Sequence, residues 1–282
     1  MISNLPQHEE FLRKKRKKKI IKYSVIVAIV VGLVGLASYV SHRASIRISK
    51  IELSGGVLVK EEDVVMKTLE YLRGSHLGLF PKDNSFWYPR ESLKKNLKDN
   101  FKRIDTVELN LKTLRILYVK ITERKSVAMW CDVLQSGGIL MEDGSGPAEQ
   151  CYFMDQNSTI FAPAPIFSGD AYFKFYGLVA SSSPIGAEYI ASTTIFGELA
   201  QFVESVKNLS LRPQYVVAKD NGEFSMIISG GSEIYFDIKR PLTQVFDNLE
   251  TLLSNPPLSK GVSNVEYIDL RYGNKLFYKM KE

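Results

Sequence analysis

Histidine and cysteine are both scarce in this chain, which has three histidines and two cysteines among its 282 residues. A Ser-His-Asp triad needs an imidazole as its general base, and a structural zinc site needs several thiolates or imidazoles close together. The sequence contains nothing that resembles a Cys-rich metal knuckle. We therefore expect no catalytic centre, no metal site and no cofactor.

The net charge of +6 is concentrated at one end of the chain. Residues 1–22 hold eight Lys/Arg and two Asp/Glu, which leaves 29 of the 37 basic and 29 of the 31 acidic residues for the remainder. A surface that binds nucleic acid needs a basic excess to track the phosphates. The balanced remainder therefore argues against nucleic acid as a partner.

An uncharged apolar run over residues 23–41 follows the basic tail. As a helix, these 19 or so residues would be roughly 28 Å long, close to the hydrocarbon thickness of a bilayer. Basic residues beside a membrane span stay in the cytoplasm. We predict a cytoplasmic basic tail over 1–22, a transmembrane helix over 23–41 and an exported remainder.

A cleaved signal peptide is the alternative interpretation of this segment. Such peptides have an apolar core of about 7–15 residues followed by a small-x-small cleavage site. The run here is longer, and residues 38–43 offer only a poor cleavage site. The sequence favours an uncleaved anchor.

Small residues recur on one side of the predicted membrane helix, at Ser24, Ala28, Gly32 and Gly35. Stripes of this kind let transmembrane helices approach closely, although small residues are also frequent in single-pass anchors. These four residues are candidates for helix packing within the membrane.

The two cysteines, Cys131 and Cys151, both follow the predicted membrane helix, on the side where disulfides persist. They flank a turn-rich stretch over residues 137–147, so neighbouring antiparallel strands can bring them together. Two buried free thiols are the alternative. We treat the pair as a candidate disulfide.

The exported chain is predicted to be α+β, with two modules. Residues 46–124 have the pattern β-α-α-β-β, with strands over 46–53, 105–111 and 114–121 and helices over 60–72 and 89–97. Residues 125–282 are predicted to form a mixed β-sheet domain with two flanking helices. Its strands are predicted over 127–130, 151–154, 160–161, 214–219, 223–228, 233–238, 265–270 and 275–279, and its helices over 196–209 and 241–253.

Two catalytic patterns are weak. His76 lies between glycines, with no nucleophile-elbow motif anywhere in the chain, so a solvated loop histidine is favoured. Ser92 and Lys95 fit the Ser-x-x-Lys pattern of penicillin-interacting enzymes, but the Ser-Asp-Asn and Lys-Thr-Gly elements that accompany it are missing. An anchored cell-wall enzyme is the least favoured function.

The layout and several local motifs resemble the bacterial division proteins FtsQ and DivIB. Residues 48–55 are similar to the opening strand of a POTRA domain, and residues 113–124 to the stretch that ends it. Residues 127–130 and 152–161 resemble the start of the family's β domain. The most specific motif is Tyr-Ile-Asp-Leu-Arg-Tyr-Gly-Asn-Lys at 267–275, which is similar to the family's C-terminal signature.

The chain departs from the family pattern at a few loop positions. Lys112 and Ser126 stand where the family has prolines, and Ser158 stands where a hairpin glycine is expected. The insert between the two cysteines is also unusually long. These departures affect loop conformations rather than the architecture.

The resemblance implies a non-enzymatic scaffold of the division machinery, single-pass in the bacterial inner or plasma membrane and located at the division site. It implies FtsB- or DivIC-like and FtsL-like single-pass proteins and other membrane proteins of the division machinery as partners, with the partner docked on the C-terminal strand. The residues carried over as partner-binding are Arg271, Tyr272, Gly273, Asn274, Lys275, Leu276, Phe277 and Tyr278. A strand near the terminus can lie at a sheet edge, where unpaired N–H and C=O groups accept an incoming strand.

Two alternatives stay open beside this expectation. A structural salt bridge and a core leucine would equally explain residues 269–271. A POTRA-containing protein of envelope assembly or secretion is the other functional class, although the chain does not have the many lipid-facing strands of a membrane barrel.

Overall fold

The chain is a mixed α/β protein that divides into two units, Met1–Glu123 and Arg124–Glu282. The computed structural model describes residues 5–132, 150–165, 171–177, 179, 183–273 and 275–281. One long apolar helix and a three-stranded sheet belong to the first unit, and a nine-stranded mixed sheet belongs to the second.

Helix α1 (Leu5–Ser41) contains the whole predicted membrane segment. Its stretch Arg13–Ser41 is long and apolar enough to cross a membrane, by length and composition, and none of its apolar window is buried in the protein. The 37 residues of α1 as a whole measure roughly 55 Å along the helix axis, so the helix continues well beyond the apolar run on its basic side.

The rest of the first unit follows the predicted order of its longer elements. It consists of β1 (Lys50–Ser54), α2 (Glu61–Leu72), β2 (Ser75–His76), β3 (Phe80–Pro81), α3 (Arg90–Asn100), β4 (Ile104–Thr113) and β5 (Ile116–Glu123). The sheet order is β1-β5-β4, with β1 parallel and β4 antiparallel to β5. Val64 of α2 and Leu93 and Leu97 of α3 are fully buried in the core beside this sheet. The small hairpin of β2 and β3 was not predicted, because strands of two residues give no periodic signal.

The predicted start of the first strand, at residue 46, is wrong. Residues Ala44–Ile46 form a 3-10 turn, and β1 begins only at Lys50. Ile48 is buried, and its N–H donates to the carbonyl of Asp83 at 2.7 Å. The apolar-polar alternation of this stretch therefore reflects its contact with the segment before α3 rather than a place in the sheet.

Glu123, at the end of β5, fixes the loop that follows β1. Its Oε1 accepts hydrogen bonds from the backbone N–H groups of Val57, Leu58 and Val59, at 2.7, 2.8 and 2.9 Å. Burial alone would raise the pKa of this carboxyl, but the three hydrogen bonds outweigh it and hold the pKa below its ordinary value. In the same loop Gly55 has φ +94°, and an added Cβ would lie 2.1 Å from the carbonyl oxygen of Ile121, so only glycine fits.

The second unit is built on a nine-stranded sheet. Its elements are β6 (Ala128–Asp132), β7 (Gln150–Met154), β8 (Ile160–Pro163), β9 (Lys174–Tyr176), α4 (Thr193–Asn208), β10 (Pro213–Ala218), β11 (Glu223–Ile228), β12 (Glu233–Asp237), α5 (Leu242–Ser254), β13 (Val265–Tyr272) and β14 (Lys275–Met280). The strand order is β14-β13-β12-β11-β10-β9-β6-β7-β8. Strand β9 was not predicted, although it lies within the sheet and pairs in parallel with both β6 and β10.

Helices α4 and α5 pack on one face of this sheet, which we call the helix face. We call the opposite face of the sheet the open face. Along β12, Ile234 and Phe236 belong to the core shared with the helices, while Tyr235 between them lies on the open face. Phe202 of α4 meets Phe236 with ring centroids 4.9 Å apart. The sheet is therefore apolar toward the helices. Its open face carries polar and aromatic side chains on β12 and a small buried apolar cluster around Met129 of β6.

Cys131 of β6 and Cys151 of β7 lie directly opposite each other in the strand register and are joined by a disulfide. Cys131 is fully buried and shares a small apolar cluster with Met129 and Tyr176. The two cysteines are 20 residues apart in sequence. The residues between them from 133 to 149 lie outside the described residues.

Reducing the disulfide should lower the free energy of unfolding of the full chain. Opening a loop of about 20 residues predicts a loss of roughly 3 kcal/mol. Urea unfolding in detergent, followed by circular dichroism with and without reductant, measures this loss. The variant Cys131→Ala/Cys151→Ala is the control and should show the lower stability under both conditions. An unfolding midpoint that reductant leaves unchanged in the parent would contradict the prediction.

Candidate interaction surface

The C-terminal hairpin consists of β13 and β14 joined at residues 273–274. Gly273 has φ +66°, a left-handed conformation that glycine adopts at no steric cost. Its carbonyl accepts a hydrogen bond from Asn248 Nδ2 of α5 at 3.1 Å. The hairpin is thereby attached to the helix layer, while Asn274 lies outside the described residues.

Strand β14 lies at one end of the sheet, and among the described strands β13 alone pairs with it. At the opposite end, the chain itself forms hydrogen bonds with the first residue of β8: Gly186 N–H donates to Ile160 O at 2.7 Å, and Ile160 N–H donates to Ala187 O at 2.9 Å. Within the described part of the chain, no comparable segment covers the outer side of β14. Among the described residues, the two ends of the sheet therefore differ: backbone hydrogen bonds from outside the sheet reach the start of β8, and none reaches the outer side of β14.

The direction of the β14 backbone groups follows from the residue after the strand. Lys281 N–H donates to Asn264 O at 2.8 Å, back toward the β13 side. Because successive residues of a strand alternate in the direction of their backbone groups, the N–H and C=O groups of Leu276, Tyr278 and Met280 point outward. These three residues supply the free hydrogen-bonding groups of the edge.

Large apolar side chains surround this free backbone. Tyr272, Phe277, Tyr278 and Met280 are 58%, 48%, 39% and 39% exposed. The rings of Tyr272 and Phe277 meet edge to face, with centroids 5.4 Å apart. Solitary edge strands usually carry charge rather than aromatic residues, because an apolar edge invites pairing. We call residues 272 and 275–280 the β14 edge.

Arg271 fixes the base of the hairpin on the open face. Its guanidinium donates to both carboxylate oxygens of Asp269, at 2.9 and 2.6 Å, and to Glu223 Oε2 of β11 at 2.6 Å. It also lies over the rings of Tyr235 and Tyr272, 5.3 and 5.7 Å from their centroids. One side chain thus links three strands and positions Tyr272.

The neighbours of the charged groups in this network shift their pKa values. Burial alone would raise the pKa of Asp269, but its hydrogen bonds with Arg271 outweigh that and hold the pKa below its ordinary value. The same hydrogen bonds raise the pKa of Arg271. Burial and the nearby Glu233 carboxylate raise the pKa of Tyr235 to about 12. The arrangement is an ion pair, held while Asp269 is ionised, beside a tyrosine whose pKa is raised, and it links the hairpin to β11.

The structure gives different roles to the residues predicted to bind a partner. Tyr272, Lys275, Phe277 and Tyr278 are exposed on the β14 edge, and Leu276 is partly buried against the core. Gly273 forms the turn, and Arg271 is engaged in the ion pairs described above. Sequence reasoning missed Met280, although the alternation Leu-x-Tyr-x-Met along β14 places it on the same side as Tyr278.

The candidate membrane-packing residues all lie on α1. Ser24, Ala28, Gly32 and Gly35 are exposed, and an added Cβ at either glycine would meet nothing within 4 Å. Their spacing puts them on one side of the helix. That side is open to another helix or to lipid.

The residues of the two catalytic patterns lie on the surface of the first unit. His76 is exposed in β2, and Ser92 and Lys95 are exposed on α3. Among the residues that the structure describes, no group of three or more His, Cys, Asp or Glu side chains is placed to hold a metal ion.

Comparison with known proteins gives no assignment: no family model and no curated protein matches this chain. The β14 edge is the most distinctive part of the surface that the structure describes, because it combines unpaired backbone with exposed aromatic side chains.

Replacing Arg271 should destabilise the second unit, because the Asp269 side chain is only 9% exposed and would lose its partner. We expect Arg271→Met to lower the free energy of unfolding by about 2–3 kcal/mol and Asp269→Asn/Arg271→Met to recover most of it. The exposed pair of Lys120 and Glu108 provides a control, and Lys120→Met should cost less than about 0.5 kcal/mol.

The ion pair of Asp269 and Arg271 also predicts that the protein loses stability in acid. The pKa of Asp269 is lower in the folded than in the unfolded state. Its contribution to the free energy of unfolding is therefore complete above about pH 4, the pKa of an unfolded aspartate, and disappears as the pH falls through the pKa of the folded state. Urea unfolding at neutral and acidic pH should show a smaller acid loss in Asp269→Asn/Arg271→Met than in the parent. Equal acid losses, or an Arg271→Met variant as stable as the parent, would contradict this role of the ion pair.

Proposed function

We propose that this protein is a membrane-anchored, non-enzymatic scaffold of bacterial cell division, of the FtsQ and DivIB kind. Helix α1 anchors it in the inner or plasma membrane, with the basic residues before the apolar run in the cytoplasm and both units exported. The length and composition of α1 support the anchor. The order of the longer elements over residues 46–124 supports a POTRA-like module, and residues 125–282 then correspond to the family's β domain.

The observation that carries the proposal is the open outer side of β14. A partner strand laid along it forms backbone hydrogen bonds with the outward groups of Leu276, Tyr278 and Met280. This is strand addition to a sheet edge, in which the backbone gives affinity and alternate side chains give selectivity. The partner is the exported segment of an FtsB- or DivIC-like protein, which brings an FtsL-like protein with it.

The side chains of the β14 edge suit a partner strand that is apolar on both of its faces. Tyr278 and Met280 extend the helix face, and Phe277 with Tyr272 extends the open face. Cross-strand neighbours lie about 4.5–5.5 Å apart, so an added strand would place its side chains directly beside these four. The ring pair and the tyrosine provide the rigid contacts that dominate binding energies at interfaces.

Charge adds a preference for acidic residues in the partner. Lys275 and Lys279 are exposed on β14, and Lys279 already contacts Glu266 of β13 at 2.7 Å. Acidic residues opposite these lysines would accelerate association and select against basic segments. The same lysines disfavour the pairing of two β14 edges from separate copies of the chain.

Proline at position 278 should block strand addition while leaving the fold intact. It removes one outward N–H and constrains φ to about −65°, yet it breaks no hydrogen bond to β13. We expect Tyr278→Pro to weaken binding at least about 50-fold and Tyr278→Val, which keeps the N–H, to weaken it about 5-fold. The measurement is binding of an FtsB- or DivIC-like exported segment to the full chain in nanodiscs.

Circular dichroism of both variants provides the control for folding. If Tyr278→Pro folds and binds as tightly as Tyr278→Val, the β14 edge is not the docking site. If the parent chain binds no such segment, the assignment to the division scaffold itself is wrong.

A further inference from the structure

The segment between α2 and α3 exposes four large apolar side chains. Leu77, Leu79, Phe86 and Trp87 are 95%, 44%, 64% and 64% exposed. They lie on the β2–β3 hairpin and on the turn before α3, and we call them the loop patch. Apolar residues gathered in this way on one surface segment mark a contact with something apolar.

The hairpin holds Leu77 out at its tip. Leu77 and Gly78 occupy the two central positions of a turn with φ +51° and +73°, closed by a hydrogen bond from Leu79 N–H to His76 O at 3.0 Å. A left-handed conformation is unfavourable for leucine, and asparagine or glycine is the usual choice there. The chain keeps a strained leucine at the point where its side chain has almost no protein neighbours.

Hydrogen bonds tie this segment to the end of α1. Ser38 Oγ donates to the carbonyl of Leu79 at 2.7 Å. Asn84 Nδ2 donates to Ser41 Oγ at 2.9 Å and to its carbonyl at 3.1 Å, and both Asn84 and Ser41 are buried. The segment is therefore packed against the last turn of the membrane helix, within the same unit.

These bonds also give the direction in which the hairpin points. Ser38 precedes Ser41 by three residues, or about 4.5 Å along the helix axis, and both belong to the apolar run. From Asn84 to Leu79 the chain therefore moves along α1 toward the apolar run, and Leu77 lies at the tip of the same hairpin as Leu79. Phe86 and Trp87 follow Asn84 directly and stay near the level of Ser41.

We propose that the loop patch inserts into the outer lipid interface beside α1, so that the first unit has a second membrane contact. Continuity with α1 favours lipid over a protein partner, because the patch begins where the unburied apolar surface of the helix ends. Tryptophan and tyrosine are enriched at the interface between membrane and water. Tyr39, near the end of α1, belongs to the same region, and Arg43 lies over its ring, 5.1 Å from the centroid. The inference rests on the membrane anchoring of α1 proposed above.

The two tryptophans of the chain provide a direct test. Trp87 belongs to the loop patch, whereas Trp130 is only 3% exposed in the core of the second unit. The full chain is reconstituted into phosphatidylcholine–phosphatidylglycerol vesicles whose acyl chains carry bromine near the headgroups. We expect the bromine to quench roughly a third or more of the tryptophan emission of the parent and almost none of that of Trp87→Phe.

Two further variants test the contribution of the hairpin tip. Leu77→Asn suits the left-handed turn while removing the apolar side chain, and it should reduce the quenching of Trp87. Val57→Asn is the matched control, because Val57 is 88% exposed in the loop after β1 and outside the loop patch. It should leave the quenching unchanged.

Flotation of the vesicles distinguishes a failure of the lipid contact of the loop patch from a failure of the membrane anchor α1. If the chain floats with the vesicles and the parent is quenched no more than Trp87→Phe, the loop patch does not enter lipid and only this inference fails. If the chain does not float, α1 is not an anchor, and both the inference and the proposed membrane attachment are overturned.

Discussion

The hydrogen bonds between β13 and β14 hold the last strand at the end of the sheet and use only half of its backbone groups. The other half points away from the protein, at Leu276, Tyr278 and Met280. The proposed function depends on this asymmetry, because an incoming strand needs free donors and acceptors in a fixed register. The Arg271 ion pairs and the Asn248 hydrogen bond keep the hairpin in place. Binding a partner strand would therefore cost the β14 edge little additional conformational entropy.

An open apolar edge is a hazard as well as a binding site. At the other end of the sheet, the backbone of residues 186–187 forms hydrogen bonds with Ile160, the first residue of β8. On β14, exposed lysines at 275 and 279 discourage pairing between identical edges while leaving the aromatic residues accessible.

Periodicity and turn chemistry were enough to predict the long helices and most strands, because the helices repeat apolar residues at helical spacing and most strands alternate apolar and polar residues between turn signals. The same reasoning missed β9, whose three residues are placed by pairing with β6 and β10 on either side. It also missed the β2–β3 hairpin, because its strands of two residues are too short to show an alternation of apolar and polar residues.

Site prediction from the sequence was uneven for a similar reason. The resemblance pointed to residues 271–278, but only strand order and register reveal that β14 is at an end and which of its backbone groups are free. Arg271 and Asp269 illustrate the limit: their short spacing suggests a salt bridge, while the third partner, Glu223, is 48 residues away in sequence. Long-range pairings of this kind leave no signal in a single sequence.

Amide hydrogen exchange in the full chain tests the open edge most directly. We expect the amides of Leu276, Tyr278 and Met280 to exchange rapidly and those of Phe277 and Lys279 to be protected by pairing with β13. Adding the exported segment of an FtsB- or DivIC-like protein should then protect the first three. If these three amides are already protected in the protein alone, or stay unprotected in a saturated complex, the outer side of β14 is not where a partner strand binds.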